Sequence, residues 1–406
     1  MFYLYLNYLN TKSEMESMLI RLKRSPVSHL LLAITFFSSG LAINLFQSFL
    51  WVFIRPVSKH VYRKVNYYLE YSLYSELVFL CEWWSGSDIK LYINKEEFIK
   101  YYGKEHGYLV MNHTYEIDWM VGWMFCERIG VLGNCKSYAK KVIQYVPTIG
   151  WAWKFAESIF LERDWDKDKE TIGKQIKELV EYPDPIWLLL YAEGTRFTPE
   201  KHKASLEFAK EKGLPELKHH LTPRTKGFVC SVPYLKEKFG AIYEVQLAFK
   251  KSDVIKPTLN NLLMGKKVMA HMYINRIPMD EVPAEEVACA QFLKNLYLKK
   301  DKMQDSFYKT GDFFEESGVT RTDEFILPRR PYSFLNTAGW GIAVLCPMTY
   351  ILLGLLTSGS TIQFALGVGI IAIFFFLLYK LIGMTKISKA SSYGMQDKRS
   401  PSKKTE

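Results

Sequence analysis

The chain has 406 residues, 49% of them hydrophobic, and a formal net charge of +11, which is enough length for one large domain or two. No stretch resembles a nucleic-acid module, so the positive excess points to anionic lipid head groups instead of DNA or RNA. Six cysteines at 81, 126, 135, 230, 289 and 346 show no C-x-x-C and no metal-ligand spacing, which argues for reduced thiols and against a disulfide framework or a metal site.

After an N-terminal extension (1–28), residues 29–54 are apolar and uncharged, long enough to cross a hydrocarbon core of about 20 helical residues. The following "RPVSKHVYRK" offers no small-residue cleavage site, so the segment reads as a retained anchor that spans or re-enters the membrane, not as a signal peptide. Residues 55–84 are expected to form interfacial helices. Their aromatic-rich part, "YYLEYSLYSELVFLCEWW" (67–84), suits the head-group level, the second arm of a re-entrant pair, or a buried domain helix. From 85 to 330 short apolar runs alternate with amphipathic segments. Strands are predicted at 107–111, 158–161, 186–192, 241–249 and 267–277. A helix is predicted where Ile172, Ile176, Leu179 and Val180 share a face, and another over 284–308. This alternation predicts an α/β domain, a mixed sheet flanked by helices.

Two further apolar stretches, 333–356 and 361–379, are joined by the uncharged "TSGST". They predict a transmembrane hairpin over 331–383. Arg329 and Arg330 precede it; Lys380, Lys386 and Lys389 follow it. Positive residues stay cytoplasmic, so the turn is expected in the lumen and the domain and tail in the cytosol. The first anchor has four basic residues on each side (Lys12, Arg21, Lys23, Arg24; Arg55, Lys59, Arg63, Lys64) and sets no orientation. The basic tail (384–406) ends in KKTE, a dilysine pattern that cytosolic coat proteins read. It predicts residence in the endoplasmic reticulum membrane, with the outer mitochondrial membrane as the alternative. Asn112-His113-Thr114 fits the N-glycosylation pattern, but a cytosolic domain never meets that machinery.

Three predicted strands end in polar groups: "NHTYEID" (112–118), "ERD" (162–164) and "EGTR" (193–196). Ligands bind at the carboxyl ends of strands in open α/β sheets, so these groups should converge on one crevice. On a single helix His113 and Asp118 would lie about 140° apart. They can pair if His113 is on the loop after its strand and Asp118 is in the first turn of the next helix. Asp118 would then orient one ring nitrogen and leave the other as a base. No G-x-S-x-G is present, so the histidine would activate an external hydroxyl. A purely structural His–Asp pair is the plainer reading of this spacing alone. Arg196 offers a planar fork for phosphate, Gly194 lets backbone approach a ligand closely, and Glu193 can hold the arginine or bind a ligand hydroxyl. A surface turn with a local ion pair is the plainer reading there.

Taken together, His113-x4-Asp118, Phe160-Leu161-Glu162-Arg163 and Glu193-Gly194-Thr195-Arg196 resemble the successive blocks of the glycerolipid acyltransferases in order and in the 80-residue gap from His113 to Glu193. "EWW", "NHTYEIDWMVGW", "YVPTIGW", "LLYAEGTRFT", "HHLTPRTKGF" and "SSYG" are most similar to the gamma and delta types of 1-acylglycerol-3-phosphate O-acyltransferase, over residues 29–394. Two departures stand out. Leu221-Thr222-Pro223-Arg224 replaces the usual Val-Pro of the fourth block, and Glu157 stands where many members have glycine.

The resemblance implies an α/β acyltransferase domain that transfers an acyl group from acyl-CoA to the sn-2 hydroxyl of lysophosphatidic acid, forming phosphatidic acid in phospholipid and triacylglycerol synthesis. It implies His113 as the base and Asp118 as its orienting partner. Arg196 with Glu193, Gly194 and Thr195 would grip the acceptor phosphate, and Arg163 would add an acceptor-binding position. Lys141, beside Lys140, and Lys226 would line the same pocket. No metal or redox cofactor is implied; acyl-CoA is a cosubstrate. The alternatives are transfer to another lysophospholipid, such as lysophosphatidylinositol or a lysocardiolipin, and a non-catalytic membrane scaffold.

Overall fold

In the computed structural model residues 14–162 and 164–385 are described. Arg163, residues 1–13 and the KKTE tail lie outside them. Eight strands among the described residues form one sheet: β1 (Asp88–Tyr92), β2 (His106–Met111), β3 (Cys135–Lys140), β4 (Ile159–Leu161), β5 (Trp187–Leu190), β6 (Phe239–Ala248), β7 (Met269–Pro278) and β8 (Glu324–Phe325). Their order is β4-β3-β5-β2-β6-β7-β1-β8. The first five in that order run parallel. β7 is antiparallel to β6, β1 is parallel to β7, and β8 is antiparallel to β1. The sheet is therefore mixed, as predicted.

Helices cover both faces, which is why β2 and β5 read as continuous apolar runs. On one face Leu109 and Met111 pack with Leu73, Tyr74 and Val78 of the helix Lys59–Phe79 and with Val121 and Phe125 of Asp118–Ile129. On the other, Tyr108 and Val110 pack with Ile172 and Ile176 of Trp165–Leu179, Phe228 of Thr225–Leu235, and Leu293 and Tyr297 of Glu286–Thr310. The Asp164 and Glu285 carboxylates cap two of these helices by accepting backbone N–H groups of the first turn.

The anchor segment forms the helix Pro26–Phe49, continued by a π-helical turn Leu50–Ile54. Its polarity is inverted. Ser39, Asn44 and Gln47 are buried, while Leu41, Leu45, Phe46 and Phe49 are exposed. The helix Lys59–Phe79 returns beside it, with Ser39 donating to Glu76 at 2.5 Å and Gln47 to Asn66 at 2.9 Å. In the stretch 67–84, for which the sequence offers an interfacial helix, a re-entrant arm or a buried domain helix, all three acids point inward: Glu70 meets Lys136, Glu76 meets Ser39 and Glu82 meets Arg128. It is a packed domain helix, because each carboxylate has a buried partner that sequence alone does not reveal. Pro26–Ile54 and Tyr332–Thr357 are long and apolar enough to cross a membrane.

The chain divides into two compact units at Pro347 and Met348, inside the helix Tyr332–Thr357 and not at its start. The early turns of this helix belong to the first unit, since Asn336 donates to the Ser72 carbonyl at 2.8 Å and Trp340 to the Ser72 hydroxyl at 2.8 Å. In the second unit Thr361–Thr385 packs close to the end of the preceding helix; a Cβ on Gly367 would lie 3.0 Å from Leu356.

Candidate active site

β2 ends at Met111, and Asn112 turns the chain. The buried Asn112 side chain brackets Leu247 of β6, accepting its N–H at 2.8 Å and donating to its carbonyl at 3.0 Å. This clamp fixes the loop that carries His113. The next helix opens at Asp118, so the imidazole is on the loop and the carboxylate is on the first helical turn. His113 Nδ1 lies 2.8 Å from Asp118 Oδ2. Asp118 is fully buried. Its Oδ2 also accepts the Tyr115 N–H at 3.3 Å, and its Oδ1 accepts the Tyr191 hydroxyl at 3.1 Å. Burial, with Asp118 beside it, holds the Tyr191 phenol well above its usual range, so it remains a donor. Its ring stacks on the imidazole at 4.1 Å. With a carboxylate accepting at Nδ1, the proton is assigned there and Nε2 presents the lone pair. Among the described residues Nε2 has no hydrogen-bond partner, and the side chain is 23% exposed.

β5 leads into Tyr191 and Glu193. Glu193 is buried, and both its oxygens accept backbone N–H groups: His113 at 2.8 Å and Leu221 at 3.1 Å. It therefore staples the β2 and fourth-block loops together, and it holds neither Arg196 nor an open position for a ligand hydroxyl. Gly194 has φ +71, and a Cβ there would lie 2.8 Å from Arg224 Cδ. The positive φ favours glycine, and a Cβ would push the exposed Arg224 side chain aside. The Phe197 N–H donates to the His113 carbonyl at 2.7 Å, which brings Arg196 beside the histidine loop. Arg196 is half-buried and makes no side-chain hydrogen bond or ion pair among the described residues. The Thr195 hydroxyl accepts from Lys201 at 2.7 Å, and the Arg196 carbonyl accepts from the same ammonium at 3.1 Å.

The remaining candidates lie farther along the same edge. β3 is two strands from β2, about 10 Å laterally. There Lys141 pairs with Glu162, each partner shifting the other toward its charged form. Lys226 is exposed over the Trp165 ring at 5.4 Å. Asp118 and Glu193 are each bonded directly to His113; Arg196 and Thr195 adjoin them; among the described residues Lys141 and Lys226 bond to none of them. Tyr191, Lys201 and Arg224 went unremarked as site residues in the sequence. Tyr191 is the last large residue of an apolar run, and nothing in the run marks it. Arg224 sits in the quoted fourth block, and that was the available signal. Arg196, Lys201, Arg224, Lys140 and Lys141 lie along this edge, with Glu162 paired to Lys141, a cationic majority suited to an anionic ligand.

Residues 91–229, which contain this whole edge, match the family model described as acyltransferase, and residues 261–340 match the acyltransferase C-terminus. The chain is 42% identical over 380 residues to the 1-acyl-sn-glycerol-3-phosphate acyltransferase gamma of Mus musculus, covering 94% of this chain and 98% of that one. This chain belongs to the acyltransferase family. A second acyltransferase, the 1-acyl-sn-glycerol-3-phosphate acyltransferase delta of Homo sapiens, is 40% identical over 384 residues, covering 93% of this chain and 97% of the relative. A solved structure, the 1-acyl-sn-glycerophosphate (LPA) acyltransferase PlsC from Thermotoga maritima, aligns with TM-score 0.40 and 14% identity over 66% of this chain and 92% of that one, a likeness too remote to bear on the site.

Proposed function

We propose that this acyltransferase moves an acyl group from acyl-CoA to the sn-2 hydroxyl of lysophosphatidic acid, giving phosphatidic acid and free CoA. The observation that carries this reading is the His113–Asp118 pair, 2.8 Å apart at a strand's carboxyl end, with a partly exposed imidazole and, among the described residues, no bonded protein nucleophile. His113 Nε2 takes the hydroxyl proton as the oxygen attacks the thioester carbonyl. Asp118 holds the ring and stabilises its charged form. The tetrahedral adduct collapses, the carbon–sulfur bond breaks, and the proton on His113 passes to the leaving thiolate. The name of the gamma and delta relatives supports the acceptor. Arg196 takes its phosphate as a planar fork, Lys141 and Lys226 add charge along the rim, and Arg163 is a further acceptor-binding residue. The reading uses no resident metal or redox cofactor. In the cell it places the domain on the cytosolic side of the endoplasmic reticulum membrane, with KKTE available to coat proteins.

Full-length protein in detergent–lipid micelles, given oleoyl-CoA and a lysophospholipid panel, tests this. CoA release that requires lysophosphatidate and falls ~10²–10⁴-fold in His113→Ala is expected. Preference for lysophosphatidylinositol or a lysocardiolipin replaces the acceptor and keeps the chemistry. No transfer to any acceptor by folded protein leaves a scaffold.

A further inference from the structure

The edge that carries His113 has cations on both sides of it. One set is the rim on β5 and β3 described above. On the other side β6 runs parallel to β2, one strand spacing of about 4.8 Å away, and continues into Phe249, Lys250 and Lys251. The histidine loop is bonded to this side. The Tyr115 ring meets Phe249 at 4.8 Å, the Phe249 N–H donates to the Tyr115 hydroxyl at 3.3 Å, and that hydroxyl lies 3.0 Å from the Tyr308 hydroxyl. Lys251 sits over the Tyr308 ring at 4.0 Å. Lys218 and Lys309 share Asp305 at 3.5 and 2.9 Å, and Lys309 also meets Glu316. Lys218, Lys250, Lys251 and Lys309 thus stand among Asp305, Glu316, Asp301, which accepts the Lys218 N–H at 2.8 Å, and Asp253, whose N–H donates to the Lys250 carbonyl at 3.1 Å; Lys218, Lys250 and Lys251 are exposed to solvent.

The cluster lies at the end of the helix Glu286–Thr310, which packs on the sheet face opposite the one that holds the apolar hairpin of residues 26–79. Its Lys218, Lys250 and Lys251 are exposed to solvent, while Tyr115 and Phe249 beneath them belong to the core layer under the hairpin. Two anionic substrates must bring their reacting atoms to one histidine, and like charges placed together repel. Separate cation sets on either side of His113 resolve that conflict.

We infer that Lys218, Lys250 and Lys251 bind the phosphate groups of the CoA end of the donor. This rests on the acyl-CoA reading above. The polyanionic nucleotide then lies on the β6 side of His113, and the Arg196 rim is left to the acceptor phosphate. The same phosphate chemistry is offered by anionic lipid head groups, so the test separates the two sources.

In the full chain, Lys218→Ala/Lys250→Ala/Lys251→Ala is expected to raise KM for oleoyl-CoA about tenfold while KM for lysophosphatidate stays within about twofold. The KM advantage of oleoyl-CoA over oleoyl-dephospho-CoA should shrink in the variant. An unchanged KM for oleoyl-CoA overturns the assignment. So does weaker binding to phosphatidylserine vesicles with an unchanged donor KM, which gives the cluster to head groups. Calorimetry with CoA alone separates this inference from the reading it rests on. Lysine-dependent CoA binding without acyl transfer overturns the acyl-transfer reading and keeps the subsite; transfer with CoA binding unaffected by the triple change overturns the subsite alone.

Discussion

His113 is constrained at four points: Asp118 on Nδ1, Tyr191 on the ring face, Glu193 on its N–H and the Phe197 N–H on its carbonyl. These contacts divide into chemistry and positioning, and substitutions separate the two. Asp118→Asn removes the charge that stabilises a protonated ring; kcat should fall ~10²–10⁴-fold with KM for the lysolipid little changed. Glu193→Gln behaves differently. Its new NH2 would face a backbone N–H, leaving a buried donor unsatisfied at about 1–3 kcal/mol. The expected result is a lower Tm together with lower kcat. A raised acceptor KM with Tm unchanged would instead return Glu193 to the substrate. Gly194→Ala strains a φ of +71 and drives a methyl into Arg224, so an assay in which it keeps wild-type KM for lysophosphatidate would sink the close-approach argument.

Among the elements, what the sequence disclosed depended on how charge was buried. β2, β4, β5, β6 and β7 were legible because apolar runs met covered faces. β3, "CKSYAK", was not, since Lys136 inside it is buried against Glu70 at 2.9 Å, and a lysine in a strand reads as exposure until its partner is known. β1 and β8 are polar or short for the same reading. The histidine–aspartate geometry was legible because strand end and helix start bracket five residues. The staple by Glu193 was not, because its partners come from residues 113 and 221, distant in sequence.

Lys300 makes a related case testable. It is fully buried in Glu286–Thr310 and donates to the carbonyls of Val110, at 3.0 Å, and Val245. Burial, partly offset by Glu244 and Glu193, brings it down to about 8. An unfolded lysine titrates near 10.4. Between these values the unfolded chain holds the proton and the folded chain has released it, so stability rises with pH across that window. Below about pH 8 both states are protonated and the burial cost, on the order of 3 kcal/mol, is fully present. Wild type measured beside Lys300→Met should therefore gain several degrees of relative Tm from pH 7.5 to 10. Parallel curves would mean that Lys300 does not titrate in this window.

For the whole molecule, the inverted hairpin decides what the anchor does. Leu41, Leu45, Phe46 and Phe49 face outward, but its inward polar residues satisfy the domain: Ser39 bonds Glu76, Gln47 bonds Asn66, and Asn44 accepts the Thr148 N–H at 3.0 Å. Thr148 has φ +69 and packs against Gly40, where a Cβ would lie 3.1 Å away, so a strained turn beside β3 is held by the anchor. A tether that merely localised the enzyme would leave the domain intact when cut. Deleting residues 1–54 instead unpairs buried polar groups, each at a cost of about 1–3 kcal/mol, and uncovers Leu73, which packs at Gly40. The truncated chain should lose Tm and should be poorly active even toward a short-chain, monomeric lysophosphatidate that needs no membrane. If it melts with the wild type and turns over that soluble acceptor at the full rate, the hairpin is a tether and its inward polar face contributes nothing to the fold.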